Sequence, residues 1–153
     1  MDADRRADRA LIRRITAEEV RPVRHRVLRP GRPFETTVFG ADDLASTVHL
    51  GAFDGDELVG VVSLAPEPRE GREGGWRLRG MATIPEVRGR GFGTALLDAC
   101  LEYAAVSGGG EVWCNARLVA VAFYQRAGFE IVSEEFDIAG IGPHVVMARP
   151  GRD

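Results

Sequence analysis

Met81 to Val106, MATIPEVRGRGFGTALLDACLEYAAV, decides the fold. It reads as the end of a strand, a glycine-rich turn and a helix. The strand runs from Trp76 to Ile84, and Pro85 closes it. The turn is Arg88-Gly89-Arg90-Gly91-Phe92-Gly93. The helix that follows places Leu96, Leu97, Cys100, Leu101 and Ala104 on one face. Alternating glycines strip Cβ atoms from the turn, so backbone N–H groups can converge on one spot. A helix start also carries unpaired donors and a partial positive charge. The stretch is therefore an expected anion site, suited to a phosphate or pyrophosphate.

Upstream, Ala10–Ile15 reads as a first strand and residues 1 to about 8 as frayed. Thr16 and Glu19 form a capping box. The helix it opens carries Val20, Val23, Val27 and Leu28 on one face, with Arg21, Arg24 and Arg26 elsewhere. Phe34–Ala45 has no clear period and reads as a loop with a helical turn near Asp42. A hairpin follows, Val48–Phe53 and Leu58–Leu64, turned by Asp54-Gly55-Asp56. Ala65–Gly75 reads as an exposed loop. Gly80 interrupts the central strand, which marks either a bulge or packing under a large side chain.

Downstream, Glu111–Asn115 is a strand reached through a helix, so parallel pairing with Trp76–Ile84 is expected. Val119–Arg126 reads as a second helix, ended by Ala127-Gly128. Phe129–Phe136 and His144–Ala148 read as closing strands. The expected order is β-α-β-β-β-α-β-α-β-β.

At 153 residues, 44% hydrophobic and 28% charged, the chain suits one globular domain. A net charge of −3 gives no pull towards nucleic acid or anionic membrane. All 20 basic residues are Arg, so lysine Schiff-base chemistry and a P-loop lysine are excluded. Ten Arg fall in the first 33 residues; a solvated helix face accounts for them, or a basic rim that attracts an anionic ligand. Cys100 and Cys114 read as buried free thiols, which fits a reducing compartment. With no apolar run of membrane length and a polar first stretch, a cytoplasmic protein is expected.

Three phosphate sites can be compared. A Walker A loop fails for want of lysine. A Rossmann fingerprint fits poorly: Thr94 replaces its third glycine, and Val112-Trp113-Cys114-Asn115 ends without a carboxylate. The third fits. Pro85 followed by Arg88-Gly89-Arg90-Gly91-Phe92-Gly93 resembles the acyl-CoA-binding segment of the GNAT superfamily of N-acyltransferases. Ala122-Phe123-Tyr124-Gln125-Arg126-Ala127-Gly128-Phe129 resembles a second element of the same superfamily. The resemblance spans roughly Leu58 to Met147.

That resemblance implies an α/β fold: a mixed, mostly antiparallel central sheet with a parallel splayed strand pair, flanked by helices. It implies a single acetyltransferase domain over residues 1–153, with 1–8 and 150–153 frayed. It implies acetyl-CoA as acyl donor, bound by the backbone from Gly89 through Thr94, that is Gly89, Arg90, Gly91, Phe92, Gly93 and Thr94, with charge added by Arg88. Met81, Ala82 and Thr83 would bond the pantetheine arm like an added strand, in a gap beside Val112–Asn115. Tyr124 matches the tyrosine thought to protonate the departing thiolate; the alternative reading is a core tyrosine with a satisfied hydroxyl. Many members place Asn seven residues before that tyrosine; here the position is Arg117, and Asn115 is the alternative cofactor contact.

The general base is open among Glu111, Glu135, Asp137, His144, His25 and His49. His144 follows the unusual segment Gly140-Ile141-Gly142-Pro143 and is taken as base or acceptor contact. No metal is implied. The acceptor is a small-molecule or peptide amine, a homodimer is conceivable in this fold, and neither nucleic acid nor membrane is an expected partner. The competing reading is a non-catalytic acyl-CoA-binding regulatory module on the same fold.

Overall fold

The computed structural model describes residues 11–151. Of the frayed ends expected at 1–8 and 150–153, residues 1–8, 152 and 153 lie outside the described residues, as does the start of the first strand at Ala10. The elements are β1 (Leu11–Ile15), α1 (Arg21–Leu28), β2 (Val48–Asp54), β3 (Glu57–Pro66), β4 (Trp76–Thr83), α2 (Phe92–Val106), β5 (Val112–Arg117), α3 (Val121–Arg126), β6 (Glu130–Ile131), β7 (Phe136–Ile138) and β8 (Gly142–Arg149). The chain forms two compact units. One ends at Ala65 and resumes over Gly80–Tyr103; the other holds Pro66–Arg79 and the chain from Ala104 onward. β4 contributes to both, and the division falls at Gly80.

In the first unit β1 pairs β2 and β2 pairs β3, both antiparallel, and β3 neighbours β4. The β2–β3 turn is tighter than expected: Asp54 pairs with Glu57, leaving Gly55 and Asp56 as the turn. Val59 through Ala65 are all buried, so β3 is covered on both faces, and Ser63 is the one polar side chain in that run. Leu96, Leu97 and Cys100 of α2 are buried in the same unit, and Leu101 is half-buried.

The capping box forms as expected. Thr16 N–H donates to Glu19 Oε1 at 2.8 Å, and Glu19 N–H donates to Thr16 Oγ1 at 3.1 Å. It closes a turn, however, not the helix: α1 begins at Arg21, with Pro22 in its first turn. Val20 and Val23 are buried as expected. Arg24, assigned away from the apolar face, is the exception, for it is completely buried. The loop after α1 carries its helical turn at Phe34–Thr37, earlier than expected.

In the second unit β4 pairs β5 in parallel, Trp76 with Val112 and Arg77 with Trp113. β5 pairs β8 antiparallel, and β8 pairs β6 and β7 on its other edge, also antiparallel. Pairings are thus mostly antiparallel, with one parallel pair and flanking helices, as expected of the fold class. The single strand expected over Phe129–Phe136 is instead two. β8 advances three residues from Met147 to His144, while its partner segment advances five from Ile131 to Phe136. The excess is taken up at Val132–Glu135, where Ser133 Oγ accepts the Val146 N–H at 2.8 Å. No helix among the described residues is long and apolar enough to cross a membrane.

Candidate active site

The glycine turn lies in the first unit. Pro85 opens a short 3-10 helix over Pro85–Val87, and Arg90 N–H donates to Val87 O at 3.2 Å. Gly89 has φ +81° and Gly91 φ +91°. A Cβ at Gly89 would meet nothing within 4 Å, so glycine is needed there for backbone conformation and not for space. α2 begins at Phe92, so the turn is Arg88–Gly91 and Gly93 belongs to the helix, a correction of two residues. The first intrahelical bond is Ala95 N–H to Gly91 O at 3.0 Å. The N–H groups of Phe92, Gly93 and Thr94 precede it and have no carbonyl within the helix to donate to.

The side chains around this turn are engaged locally. Phe92 is buried. Arg90 Nη1 donates to Asp54 Oδ2 at 3.1 Å, and its guanidinium lies 5.2 Å from the Phe92 ring centre. Arg88 Nη2 donates to the Thr83 carbonyl at 3.3 Å. Ala82 is buried, and Met81 and Thr83 are half-buried at the end of β4.

Gly80, just before them, matches the second of its sequence readings, packing under a large side chain. Its φ is +66°, a left-handed conformation inside a strand. A Cβ there would lie 3.1 Å from Arg24 Nε and 3.2 Å from Phe39 Cε2, so it also packs under large side chains.

Tyr124, Asn115 and His144 lie in the second unit. α3 ends in a Schellman geometry that closes on Tyr124: Phe129 N–H donates to Tyr124 O at 3.1 Å and Gly128 N–H to Gln125 O at 3.0 Å, with Gly128 at φ +93°. The Tyr124 and Phe129 rings, 5.3 Å apart, supply the apolar contact that accompanies this cap. The Tyr-x-x-x-Gly-Phe spacing therefore has a folding reason of its own. Tyr124 is buried between Phe123 and Phe129, and its side chain hydrogen-bonds Cys114. Burial pushes the Cys114 thiol up to about 12 despite that bond and the charge of Arg77, and burial alone pushes Cys100 up to about 12. Neither cysteine is a thiolate nucleophile at neutral pH.

Asn115 stands opposite Val146 and Arg117 opposite His144. Arg117 ends β5 and precedes a 3-10 turn, so it does not open α3. His144 is buried and stacked on Phe136, ring centres 5.9 Å apart. Its Nδ1 lies 2.8 Å from the Gly142 carbonyl, which can only accept. Nδ1 therefore carries the proton, and Nε2 of the neutral ring holds the lone pair.

Three other base candidates are committed elsewhere. Glu111 forms a two-point pair with Arg69 at 3.1 and 2.8 Å. His25 Nε2 donates to Arg32 O at 2.7 Å. His49 is buried and uses both ring nitrogens, towards Ser63 Oγ at 2.6 Å and Asp42 O at 3.0 Å. Glu135 and Asp137 are exposed on and before β7.

The residues that sequence reasoning missed are Arg24, Asp42 and Ser63. Arg24 Nη1 and Nη2 donate to the two Asp42 carboxylate oxygens at 2.7 and 3.0 Å; Nη1 also reaches Thr37 O at 2.7 Å, and Nη2 reaches Ser63 Oγ at 2.9 Å. Burial by itself would raise the Asp42 carboxyl, but the Arg24 side chain, the Phe39 N–H and the Arg24 charge hold it below its ordinary 3.8. A signal was present: Arg24 is four residues after Val20 and three before Val27, on the apolar stripe.

Comparison with known proteins agrees with this architecture. The profile of the Acetyltransferase (GNAT) family matches residues 14–129. The uncharacterized N-acetyltransferase YitI of Bacillus subtilis (strain 168) is 36% identical over 138 residues, covering 89% of this chain and 93% of that one. Among solved structures, Escherichia coli ElaA superposes with a TM-score of 0.75 at 21% identity, covering 92% of this chain and 99% of its own. An aminoglycoside 6'-N-acetyltransferase complexed with coenzyme A superposes at 0.72 with 17% identity, covering 92% and 96%. Both structural likenesses show the fold.

The chain belongs to the acetyltransferase (GNAT) family. It is an acyl-CoA-dependent acyltransferase that acts on an amine.

Proposed function

We propose that the acyl group is acetyl, that the donor is acetyl-CoA, and that a small-molecule or peptide amine attacks it directly in a ternary complex. The observation that carries this reading is the start of α2. Gly89 and Gly91 hold left-handed φ values there, and three N–H groups stand ahead of the first intrahelical bond. That is a cradle for the CoA pyrophosphate. The aminoglycoside acetyltransferase of the same fold was solved with coenzyme A. The backbone of Met81, Ala82 and Thr83 would carry the pantetheine arm, and Asn115 or Arg117 an added cofactor contact.

The amine nitrogen attacks the thioester carbon, and the C–S bond breaks as the tetrahedral intermediate collapses. From ammonium to amide the nitrogen loses two protons, one offsetting the proton that the thiolate gains and one released to solvent. Two of the transfers need a group: the first removes a proton from the ammonium before attack, and the second gives a proton to the CoA thiolate. Tyr124 is assigned the second. Its neighbour Cys114 stays a neutral thiol, so the phenol faces no competing anion. His144 is assigned the first, through Nε2. Two buried neutral thiols also favour a direct mechanism over a cysteine-bound intermediate, and they suit a reducing cytoplasm.

A thiol-release screen with acetyl-CoA against a broad amine library tests the activity. Once an acceptor is in hand, Tyr124→Phe is expected to lower kcat by about 100-fold, with KM for acetyl-CoA little changed. An unchanged kcat would remove Tyr124 from the mechanism. Acetyl-CoA binding with no turnover on any amine would support a regulatory module instead.

A further inference from the structure

We propose that Arg24 is a positioning residue for the acyl-donor strand: its buried guanidinium holds the left-handed Gly80 and so sets the backbone of Met81, Ala82 and Thr83. This rests on the reading above, in which that backbone carries the pantetheine arm.

The geometry is a closed set within the first unit. Arg24 is 0% exposed. One face of its guanidinium lies 3.9 Å from the centre of the Phe39 ring. Its fork is filled by Asp42, Thr37 O and Ser63 Oγ. Hydrogen-bond direction then propagates without ambiguity. Asp42 O can only accept, so His49 Nε2 is the donor to it and Nδ1 is the acceptor in the neutral ring. Ser63 accepts from Arg24 and gives its own proton to His49. Ser, His and Asp meet here, yet Ser63 bonds Nδ1, Asp42 offers its carbonyl, and all three are buried; this is not a hydrolytic arrangement.

Within this set the unsatisfied group is Arg24 Nε, buried without a partner among the described residues. It is also the atom nearest to where a Gly80 Cβ would stand, at 3.1 Å. The buried cation thus occupies the space beside the one backbone position in β4 that needs a positive φ. A buried ion pair is not a cheap way to fill space, since apolar residues of similar volume often serve stability as well or better. What it supplies is a fixed plane. Rotamers of an apolar replacement would fill the volume without fixing the strand at Gly80, and the three residues after it would lose their set position.

The test separates the arm from the nucleotide. Two probes are used: acetyl-CoA, and 3′-phosphoadenosine 5′-diphosphate, the CoA fragment that keeps the pyrophosphate and lacks the arm. Calorimetric affinities are measured for wild type, Arg24→Met and Gly80→Ala. Each variant is expected to lose acetyl-CoA affinity by about tenfold, while fragment affinity changes by less than about twofold. The double variant should lose no more than the worse single one, because both act through one backbone position. If both ligands weaken together, or only the melting temperature falls, Arg24 is structural and the proposal is overturned. If Arg24→Met does not fold, Ser63→Ala decides: it should give about a threefold loss for acetyl-CoA alone, and none overturns the proposal. Wild type that binds neither probe defeats the acyl-CoA reading itself, and the proposal with it.

Discussion

Arg24 and Arg77 show what burial does to the same side chain. Each lies over an aromatic ring, Arg24 at 3.9 Å from Phe39 and Arg77 at 4.9 Å from Trp113. Each pairs with a carboxylate, and each leaves its Nε without a partner among the described residues. The difference is water. The Arg24–Asp42 pair has side chains 0% and 3% exposed; for Arg77–Glu67 the figures are 23% and 37%. In the first, both terminal nitrogens had to be matched within the protein. In the second, solvent shares the task, and Arg79 adds a second contact to Glu67 at 3.0 Å. One cluster specifies a conformation; the other decorates a sheet.

The contrast breaks most easily at Arg24. Replacing it by Met leaves the Asp42 carboxylate buried and unpaired. The expected cost is about 3–5 kcal/mol, read from urea unfolding. Arg77→Met should cost about 1 kcal/mol or less, because its partner can turn to water. Equal costs would mean that burial is not what separates the two.

The Arg24 variant should also invert one pH response. In the wild type the folded-state pKa of Asp42 lies below 3.8. A depressed carboxyl contributes stability that is fully present above its unfolded value and is lost as pH falls through the folded one. Without the Arg24 side chain and charge, the Phe39 N–H and the smaller contribution of His49 are left to oppose burial, so the folded pKa should rise above 3.8. The variant then gains stability relative to wild type as the pH is lowered towards that value. Urea midpoints taken between about pH 7 and pH 4 should converge. A constant gap would show that Asp42 stays ionised without its partner.

Next in size is the glycine comparison. Gly80 and Gly89 both hold positive φ, +66° and +81°. Alanine in that conformation costs about 1–2 kcal/mol by itself. At Gly89 nothing more is added, since the space is open. At Gly80 the new Cβ meets Arg24 Nε at 3.1 Å, and overpacking should add about 1 kcal/mol or more. Thermal melts of the two variants decide it; equal losses would show that Arg24 yields freely.

Sequence made the local devices legible. The capping box at Thr16 and Glu19, the β2–β3 hairpin and the parallel β4–β5 pair each have a cause within a few residues or within one crossover. So does the turn at Gly89 and Gly91. The buried polar set was not legible as a set. Arg24 lies 18 residues from Asp42 and 39 from Ser63, and no period links them. Arg24 sat on the apolar stripe, but charge argued for solvent, and only a partner supplied by tertiary structure could reverse that. The split of β6 from β7 was hidden for a similar reason. It arises from the count of residues along β8, which the segment 129–136 does not contain.

The smallest effect tests the solvated side of the comparison. Glu67→Gln removes the charge that Arg77 and Arg79 share, at 3.1 and 3.0 Å. Burial would raise the Glu67 carboxyl, and Arg77 and Arg79 together hold it below its ordinary 4.5, so the pairing favours the charged form. Its worth is nevertheless screened, because the glutamate is more than a third exposed. Position 67 also works through its backbone: its carbonyl accepts Trp113 Nε1–H at 2.8 Å, and its N–H donates to Gly75 O at 3.1 Å. Glutamine keeps both bonds and still offers an amide oxygen to one arginine. The expected loss is therefore about 0–1 kcal/mol, and it should fade in about 1 M salt, where the screening length is about 3 Å. The Arg24→Met loss should persist under the same salt, since ions do not reach Asp42. If salt reduced both losses alike, the Arg24 pair would be exchanging with solvent, and the distinction between the two clusters would collapse.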